Sequence, residues 1–136
     1  MSLTIDLLSG PLSICRFAAG APIPAWATAA PFFTVTRTAE ELSIICATDR
    51  VPGDVTANGE WRALKVVGPF DFAEVGILLR VAAPLAAAGV SILPLATYDT
   101  DYVLVRASQL ATAVAALQGD GHEIRIPEAL PEAPAI

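Results

Sequence analysis

The stretch that decides the fold is GILLRVAAPLAAAGVSILPLATYDTDYVLV, residues 76–105. Apolar side chains recur at helical spacing in its first part and predict a helix over 75–88, which Gly89 ends. The inward-facing side chains are predicted to be Ile77, Leu78, Val81 and Leu85. Residues 90–97 and 101–106 are predicted to form two strands joined by a turn. The stretch therefore predicts a helix, a strand, an acidic turn and a second strand.

Elements on both sides extend this pattern into a complete unit. A strand is predicted over 61–70, before the helix. After the second strand, Ser108 is predicted to cap a helix that runs to Leu117, and a final strand is predicted over 122–126. The order strand–helix–strand–strand–helix–strand is the ferredoxin-like split βαβ plan. Pro84 lies inside the first helix, where it removes a backbone hydrogen bond and is expected to bend the helix.

The first half of the chain predicts strands but no long helix. Residues 20–31 are rich in proline and alanine, and we expect a loop with one helical turn there. Four strands are predicted, over 3–8, 12–18, 32–38 and 41–47. The turn signal Ser9-Gly10-Pro11 favours a hairpin of the first two strands.

These elements predict an α+β fold of two ferredoxin-like (βαββαβ) units, with antiparallel sheets and helices on one face. The first unit is interpreted as a degenerate copy of the second. Residues 49–59 contain a proline and two glycines and are the candidate boundary. The predicted domains are an N-terminal degenerate unit at 1–58, a C-terminal unit at 59–127 and a loose tail at 128–136.

The composition argues against some classes of binding partner and favours another. The net charge is −6 and the eight basic residues are scattered, which argues against nucleic acid and against an anionic membrane surface. Hydrophobic residues make up 54% of 136 residues, an excess that favours burial against a second copy and hence a homodimer. The N-terminus does not resemble a signal peptide, and prolines and an arginine interrupt the most apolar stretch, so a cytoplasmic protein is predicted.

Residues that carry catalysis are scarce. The chain has one histidine, and Cys15 and Cys46 lie inside apolar strand-like runs, which favours two buried thiols over a zinc site or a disulfide. Neither a nucleophile motif nor a phosphate-binding glycine loop occurs. The sequence therefore predicts a protein that is not an enzyme and needs no cofactor or metal.

The 76–105 stretch contains backbone N–H groups and carboxylates that indicate a ligand-binding site. Gly76 opens a helix whose free N–H groups can hold a carboxylate, although a small residue there also suits close helix–sheet packing. Asp99 and Asp101 can hold an ammonium or guanidinium group, although aspartate is also an ordinary turn residue. A site that offers both charges suits a free amino acid.

Several short motifs, taken in order, resemble one family. They are ELSIIC at 41–46, DRVP at 49–52, WRALKV at 61–66, GIL at 76–78, AGVSI at 88–92 and TYDTDYVLV at 97–105. The second half resembles an ACT domain, a small ligand-binding module of amino-acid metabolism. The whole set is similar to small stand-alone tandem-ACT proteins of bacteria. The last region is also similar to the arginine-sensing ACT proteins of animal cells and to the regulatory tails of aspartate kinases.

This resemblance implies that a free amino acid binds at an interface between ACT units and that the protein is regulatory. The implied ligand-binding residues are Phe72, Glu74, Val75, Gly76, Ile77, Leu78, Thr97, Tyr98, Asp99 and Asp101. Asp101 matches the acidic residue that holds the cationic side chain in the arginine sensors, which favours arginine or lysine as the ligand. Glu74 also has a simpler interpretation as a first-turn acid that complements the helix dipole.

Two other functions remain open at this point. One is a structural association module that binds no small ligand and uses its apolar surface only for assembly. The other is a small ferredoxin-like enzyme, because a fold alone does not exclude catalysis.

Overall fold

A computed structural model describes residues 2–68 and 76–126. Its elements are β1 (Thr4–Leu7), β2 (Leu12–Phe17), β3 (Thr34–Arg37), β4 (Leu42–Ala47), β5 (Ala57–Val66), α1 (Ile77–Ala87), β6 (Ile92–Ala96), β7 (Asp101–Arg106), α2 (Leu110–Gly119) and β8 (Glu123–Arg125). The chain divides into two compact units. We call Gly10–Trp61 the strand-rich unit, and the residues up to Ser9 together with those from Arg62 onward the helical unit.

The strand-rich unit has the ferredoxin-like strand order without α-helices. Its strands lie in the order β3-β4-β2-β5, and every neighbouring pair is antiparallel. The two helix positions hold 3-10 turns, Ala25–Thr28 and Thr48–Arg50. The first of these confirms the predicted helical turn in the loop. The unit is thus a βαββαβ fold in which each helix is reduced to one turn, as the interpretation of a degenerate copy requires.

The core of the strand-rich unit is small. Leu42, Ile44 and Cys46 form the predicted inward face of β4 and pack with Ala27 of the first 3-10 turn. Phe17 and Trp26 add a tilted ring contact with centroids 6.2 Å apart. Because three prolines between residues 20 and 31 remove backbone donors, this segment supports one turn and not a helix.

The helical unit has the complete ferredoxin-like element order with one extra strand. Its strands lie in the order β6-β7-β5-β1-β8. The N-terminal strand β1 therefore lies between the first and last strands of the unit. It pairs antiparallel to β5, with Ile5 opposite Val66, and parallel to β8, with Ile5 opposite Ile124.

The predicted hairpin of the first two strands is wrong. Strand β1 pairs with β5 and β8, and strand β2 pairs with β4 and β5. A strand has only two hydrogen-bonding edges, and these partners occupy both edges of each strand. The Ser9-Gly10-Pro11 turn instead carries the chain from the helical unit into the strand-rich unit.

Helices α1 and α2 cover one face of the sheet in the helical unit. Ile77, Val81 and Leu85 of α1 are buried, as predicted, and Gly89 ends the helix with a φ of 76°. Leu78 was predicted on the same stripe, but it is 37% exposed because one helical residue turns the side chain by about 100°. Helix α2 contributes Ala113 and Leu117. The core is completed by Leu3 before β1, by Val90 between α1 and β6, and by inward residues of the strands: Ile5, Leu7, Leu64, Val66, Val103 and Val105.

The side chain of His122 replaces the helical hydrogen bond that Pro84 removes from α1. Proline has no N–H, so the carbonyl of Arg80, four residues earlier, loses its helical donor. The ring of His122 supplies a replacement, because its Nε2 lies 3.1 Å from the Arg80 oxygen. The Nδ1 of His122 accepts a hydrogen bond from the backbone N–H of Leu3 at 3.0 Å. These partners fix the neutral tautomer with hydrogen on Nε2 and tie α1, β1 and the start of β8 together.

The start of α2 differs from the prediction. The helix is preceded by a 3-10 turn over Ala107–Gln109, and its N-cap residue is Gln109, without a side-chain cap. Ser108 lies within the 3-10 turn and so does not act as the predicted cap. The amide of Gln109 instead bonds outward, accepting from the N–H of Ser91 at 3.2 Å and donating to the oxygen of Gly89 at 3.2 Å.

Both cysteines are buried and free, as predicted. Burial raises the pKa of the Cys15 thiol, and it raises the pKa of the Cys46 thiol to about 11. Two buried neutral thiols behave as small apolar side chains. Neither helix of the described ranges is long and apolar enough to cross a membrane.

Candidate functional site

The turn between β6 and β7 is held by the hydroxyl groups of two threonines. The N–H and hydroxyl of Thr97 donate to the oxygen of Thr100 at 2.9 and 3.1 Å, and the N–H of Thr100 donates to the Thr97 hydroxyl at 3.3 Å. Thr100 is only 7% exposed, and its own hydroxyl donates to the carbonyl of Val66 at the end of β5. The turn therefore has a defined shape and a fixed position against β5.

A pocket of about 260 Å³ lies between this turn and the end of β5. The described residues that line it are Lys65, Gly68, Thr97, Asp99, Thr100 and Tyr102. Pockets for drug-sized ligands run from about 300 to 1,000 Å³, so this pocket suits a molecule of amino-acid size.

Among its described lining residues the pocket has one lysine and one aspartate. Lys65 comes from β5, and Asp99 comes from the turn. Within the described ranges, neither of them, nor Asp101, takes part in an ion pair. In the part of the chain that the structure describes, Lys65 and Asp99 therefore have no partner of opposite charge.

The carboxylate opposite Lys65 on β1 is already paired. Asp6 of β1 is the cross-strand partner of Lys65 on one side and of Arg125 on the other. The Arg125 guanidinium binds both carboxylate oxygens of Asp6, through Nε to Oδ1 and through Nη2 to Oδ2 at 2.8 Å. In this bidentate pair both carboxylate oxygens of Asp6 bind the Arg125 guanidinium. Lys65 takes no part in the pair.

The residues predicted for the site fall into three groups. Thr97 and Asp99 line the pocket, Tyr98 between them is 82% exposed, and Asp101 is half-buried opposite Ala96 at the start of β7. The helix-start residues Gly76, Ile77 and Leu78 are not among the described lining residues, and Ile77 packs in the core. Phe72, Glu74 and Val75 lie outside the described residues.

The sequence did not identify four of the lining residues: Lys65, Gly68, Thr100 and Tyr102. One signal was available for the first, because Lys65 is the only lysine of the chain and interrupts the apolar stretch ALKVV at 63–67. A solitary charged residue in a buried strand merits attention as a binding residue. Thr100 gave no such signal, since a turn threonine is ordinary.

Comparison with known proteins points to one family. An ACT-domain family model matches residues 56–119, and a model of an N-terminal domain matches residues 10–54. The rat protein named cytosolic arginine sensor for mTORC1 subunit 1 is 32% identical over an alignment of 99 residues. The match covers 67% of this chain. The chain covers only 30% of the length of that relative.

Solved structures extend the similarity to the whole fold. A crystal structure of an Agobacterium tumefaciens protein is 39% identical, with a TM-score of 0.87, and the match covers 93% of this chain and 94% of that one. The regulatory subunit of aspartate kinase from Thermus flavus has a TM-score of 0.59 at 10% identity, covering 88% of this chain and 97% of that one. At this low identity, the second similarity concerns the fold alone.

Proposed function

Because this chain is an ACT-domain protein, we propose that it is a regulatory protein without catalytic activity that binds a free amino acid at the turn between β6 and β7. The observation that carries the proposal is the pocket at this turn, where Lys65 and Asp99 offer opposite charges. An amino acid carries both an ammonium and a carboxylate group. The pocket therefore matches the charges common to every free amino acid.

Two carboxylates in the turn favour a ligand with a second positive charge. Asp99 lines the pocket and Asp101 follows it by two residues, at the start of β7. Two carboxylates so close in the chain repel each other, and a bound cation relieves that repulsion. Arginine and lysine are the common amino acids with such a charge, and the name of the rat relative includes arginine.

A second copy of the chain is expected to complete the site. The resemblance to ACT proteins implies a ligand held at an interface between ACT units, and the composition favours a homodimer. Ligand binding would then shift assembly or partner affinity, since a ligand favours the state to which it binds more tightly. Sedimentation velocity with and without the bound amino acid tests this part of the proposal.

The test of the proposed function is thermal unfolding of the whole chain in the presence of each common amino acid at millimolar concentration. A ligand at one hundred times its dissociation constant stabilises by about 2.7 kcal/mol, which moves the melting temperature by several degrees. We expect arginine or lysine to raise it most. A flat response to the whole panel would reject amino-acid binding.

Matched variants link the response to the site. Asp99→Asn should reduce the stabilisation by arginine, because it removes a pocket charge while it keeps the side-chain shape. Asp54→Asn is the control, since this exposed carboxylate lies in the strand-rich unit and its replacement changes the net charge equally. Equal responses from the two variants would place the ligand elsewhere.

The second candidate function is an association module without a small ligand. Its support is exposed apolar surface, because Leu79 on α1 is 66% exposed and Tyr98 on the turn is 82% exposed. This candidate predicts a tight dimer whose melting temperature no amino acid changes.

A further inference from the structure

We propose that Lys65 binds the carboxylate of the ligand, so that the amino acid is recognised between β5 and the β6–β7 turn. This inference rests on the proposed function and names the groups that recognise the ligand. The ligand class is molecules that carry both a free carboxylate, which Lys65 binds, and a cationic group, which Asp99 binds.

The position of Lys65 in β5 directs it away from the helices. Its neighbours Leu64 and Val66 belong to the core that α1 and α2 cover. Side chains alternate along a strand, so Lys65 lies on the opposite face of the sheet. Tyr102 lies on that same face in the adjacent strand β7, because its neighbour Val103 is in the core. The ligand is thus expected on the face of the sheet opposite α1 and α2.

The pairing of Arg125 with Asp6 leaves the Lys65 ammonium available. Asp6 is the residue opposite Lys65 and would otherwise be its natural partner across the strands. Both oxygens of Asp6 accept hydrogen bonds from the guanidinium of Arg125, and the described residues show no ion pair between Asp6 and Lys65. Within the described ranges Lys65 has no ion pair of its own, and among the described lining residues it is the one with a positive charge.

Asp99 is the group that we expect to bind the cationic end of the ligand. Asp99 lies on the turn, whose shape is fixed by the hydrogen bonds between Thr97 and Thr100. A lysine and an aspartate that line the same pocket favour one direction of a bound zwitterion, with its carboxylate toward Lys65 and its cationic group toward Asp99. Compounds that lack either charge should bind poorly, since they leave one charged group of the pocket unpaired.

The test combines Lys65→Gln and Lys65→Arg with two ligands in isothermal titration, L-arginine and L-argininamide, whose carboxylate is replaced by a neutral amide. Lys65→Gln should weaken L-arginine by about 10- to 100-fold, as expected for a lost charge-assisted hydrogen bond, and Lys65→Arg should restore most of the affinity. L-argininamide should bind the parent and Lys65→Gln equally. Arg50→Gln, in the strand-rich unit, removes the same charge from an exposed site and should change nothing.

The outcomes separate this inference from the proposed function. If an amino acid from the thermal panel binds the parent and Lys65→Gln with equal affinity, Lys65 does not hold the carboxylate, while amino-acid binding stands. If the amide binds the parent as well as the acid does, the carboxylate is not recognised. If no amino acid binds the parent, the proposed function fails, and this inference fails with it.

A second readout uses the fact that the chain has one lysine. Reductive methylation with ¹³C-formaldehyde labels only the Lys65 ammonium and the N-terminal amine, and it keeps the lysine positively charged. Titration with L-arginine should shift the dimethyl-lysine resonance, whereas the N-terminal resonance serves as the internal control. An unmoved lysine resonance at saturation, established by calorimetry, would overturn the assignment.

Discussion

The strand-rich unit and the helical unit share one strand order but fill the helix positions differently. In the helical unit α1 brings Val81 and Leu85 onto the sheet and α2 brings Leu117, whereas in the strand-rich unit a 3-10 turn brings Ala27. Strand pairing alone therefore suffices to define the order of a ferredoxin-like sheet. The helices determine how much apolar surface the sheet can bury.

The same comparison bears on the site. The pocket lies in the helical unit, at a turn whose threonines bond to each other and to the end of β5. Strand β7, which follows this turn, pairs with β5, and both strands contribute side chains to the larger core. A binding site needs such a rigid support, because loosely held groups lose affinity when they must be ordered.

The largest expected effect tests the contribution of the helices. Leu85→Ala should lower the free energy of unfolding by about 2–5 kcal/mol, because this buried side chain fills the core between α1 and the sheet. Leu79→Ala on the same helix is the control, since Leu79 is 66% exposed and should change stability by less than about 0.5 kcal/mol. Urea unfolding measures both, and equal effects would contradict the assigned helix face.

A pH effect tests the small core of the strand-rich unit. Desolvation raises the pKa of the Cys46 thiol from 9.0 to about 11, so the folded state holds this proton more tightly than the unfolded state. The contribution of Cys46 to stability is complete below pH 9 and is lost as the pH rises toward 11, by about 1–3 kcal/mol. Cys46→Ala should show a shallower decline in urea unfolding across this range. A decline as steep as that of the parent would contradict the prediction.

A double-mutant cycle tests whether His122 compensates for Pro84 in α1 of the helical unit. His122→Ala should cost about 1–3 kcal/mol, since the N–H of Leu3 and the carbonyl of Arg80 lose their buried partner. In a Pro84→Ala background the new N–H of residue 84 bonds the Arg80 carbonyl, so the cost should shrink by about 0.5–1.5 kcal/mol. Additive free energies of unfolding would show that the two residues are not coupled.

The smallest expected effect compares two glycines. Gly89→Ala should cost about 1–2 kcal/mol, because this glycine ends α1 with a φ of 76°, a left-handed conformation that alanine adopts poorly. Gly53→Ala in the strand-rich unit has open space for the added methyl group and no positive φ, so its change should stay below about 0.5 kcal/mol. Thermal unfolding of the two variants decides this, and the reverse order would refute the argument.

The sequence predicted the elements well where local periodicity is strong. The alternation of Leu42, Ile44 and Cys46 predicted both the strand and its buried face, and the strand over 101–106 has the predicted bounds. Thr97 and Asp99, two of the ligand-binding residues that the resemblance implies, line the pocket, and their role in binding stays a prediction. Lys65 was missed because nothing local indicates that a lysine in a strand faces a turn more than thirty residues later.

The sequence by itself determined which segments are strands or helices, which faces are apolar and where the acidic turn lies. Only the tertiary structure decided that β1 enters between β5 and β8, that His122 satisfies the carbonyl freed by Pro84, and that Arg125 takes Asp6 and leaves Lys65 available. The contacts of Leu3 with His122 and of Asp6 with Arg125 each join residues 119 positions apart. Local periodicity reports how a segment meets its own neighbours, whereas such pairings depend on which distant edge or charge the folded chain brings alongside.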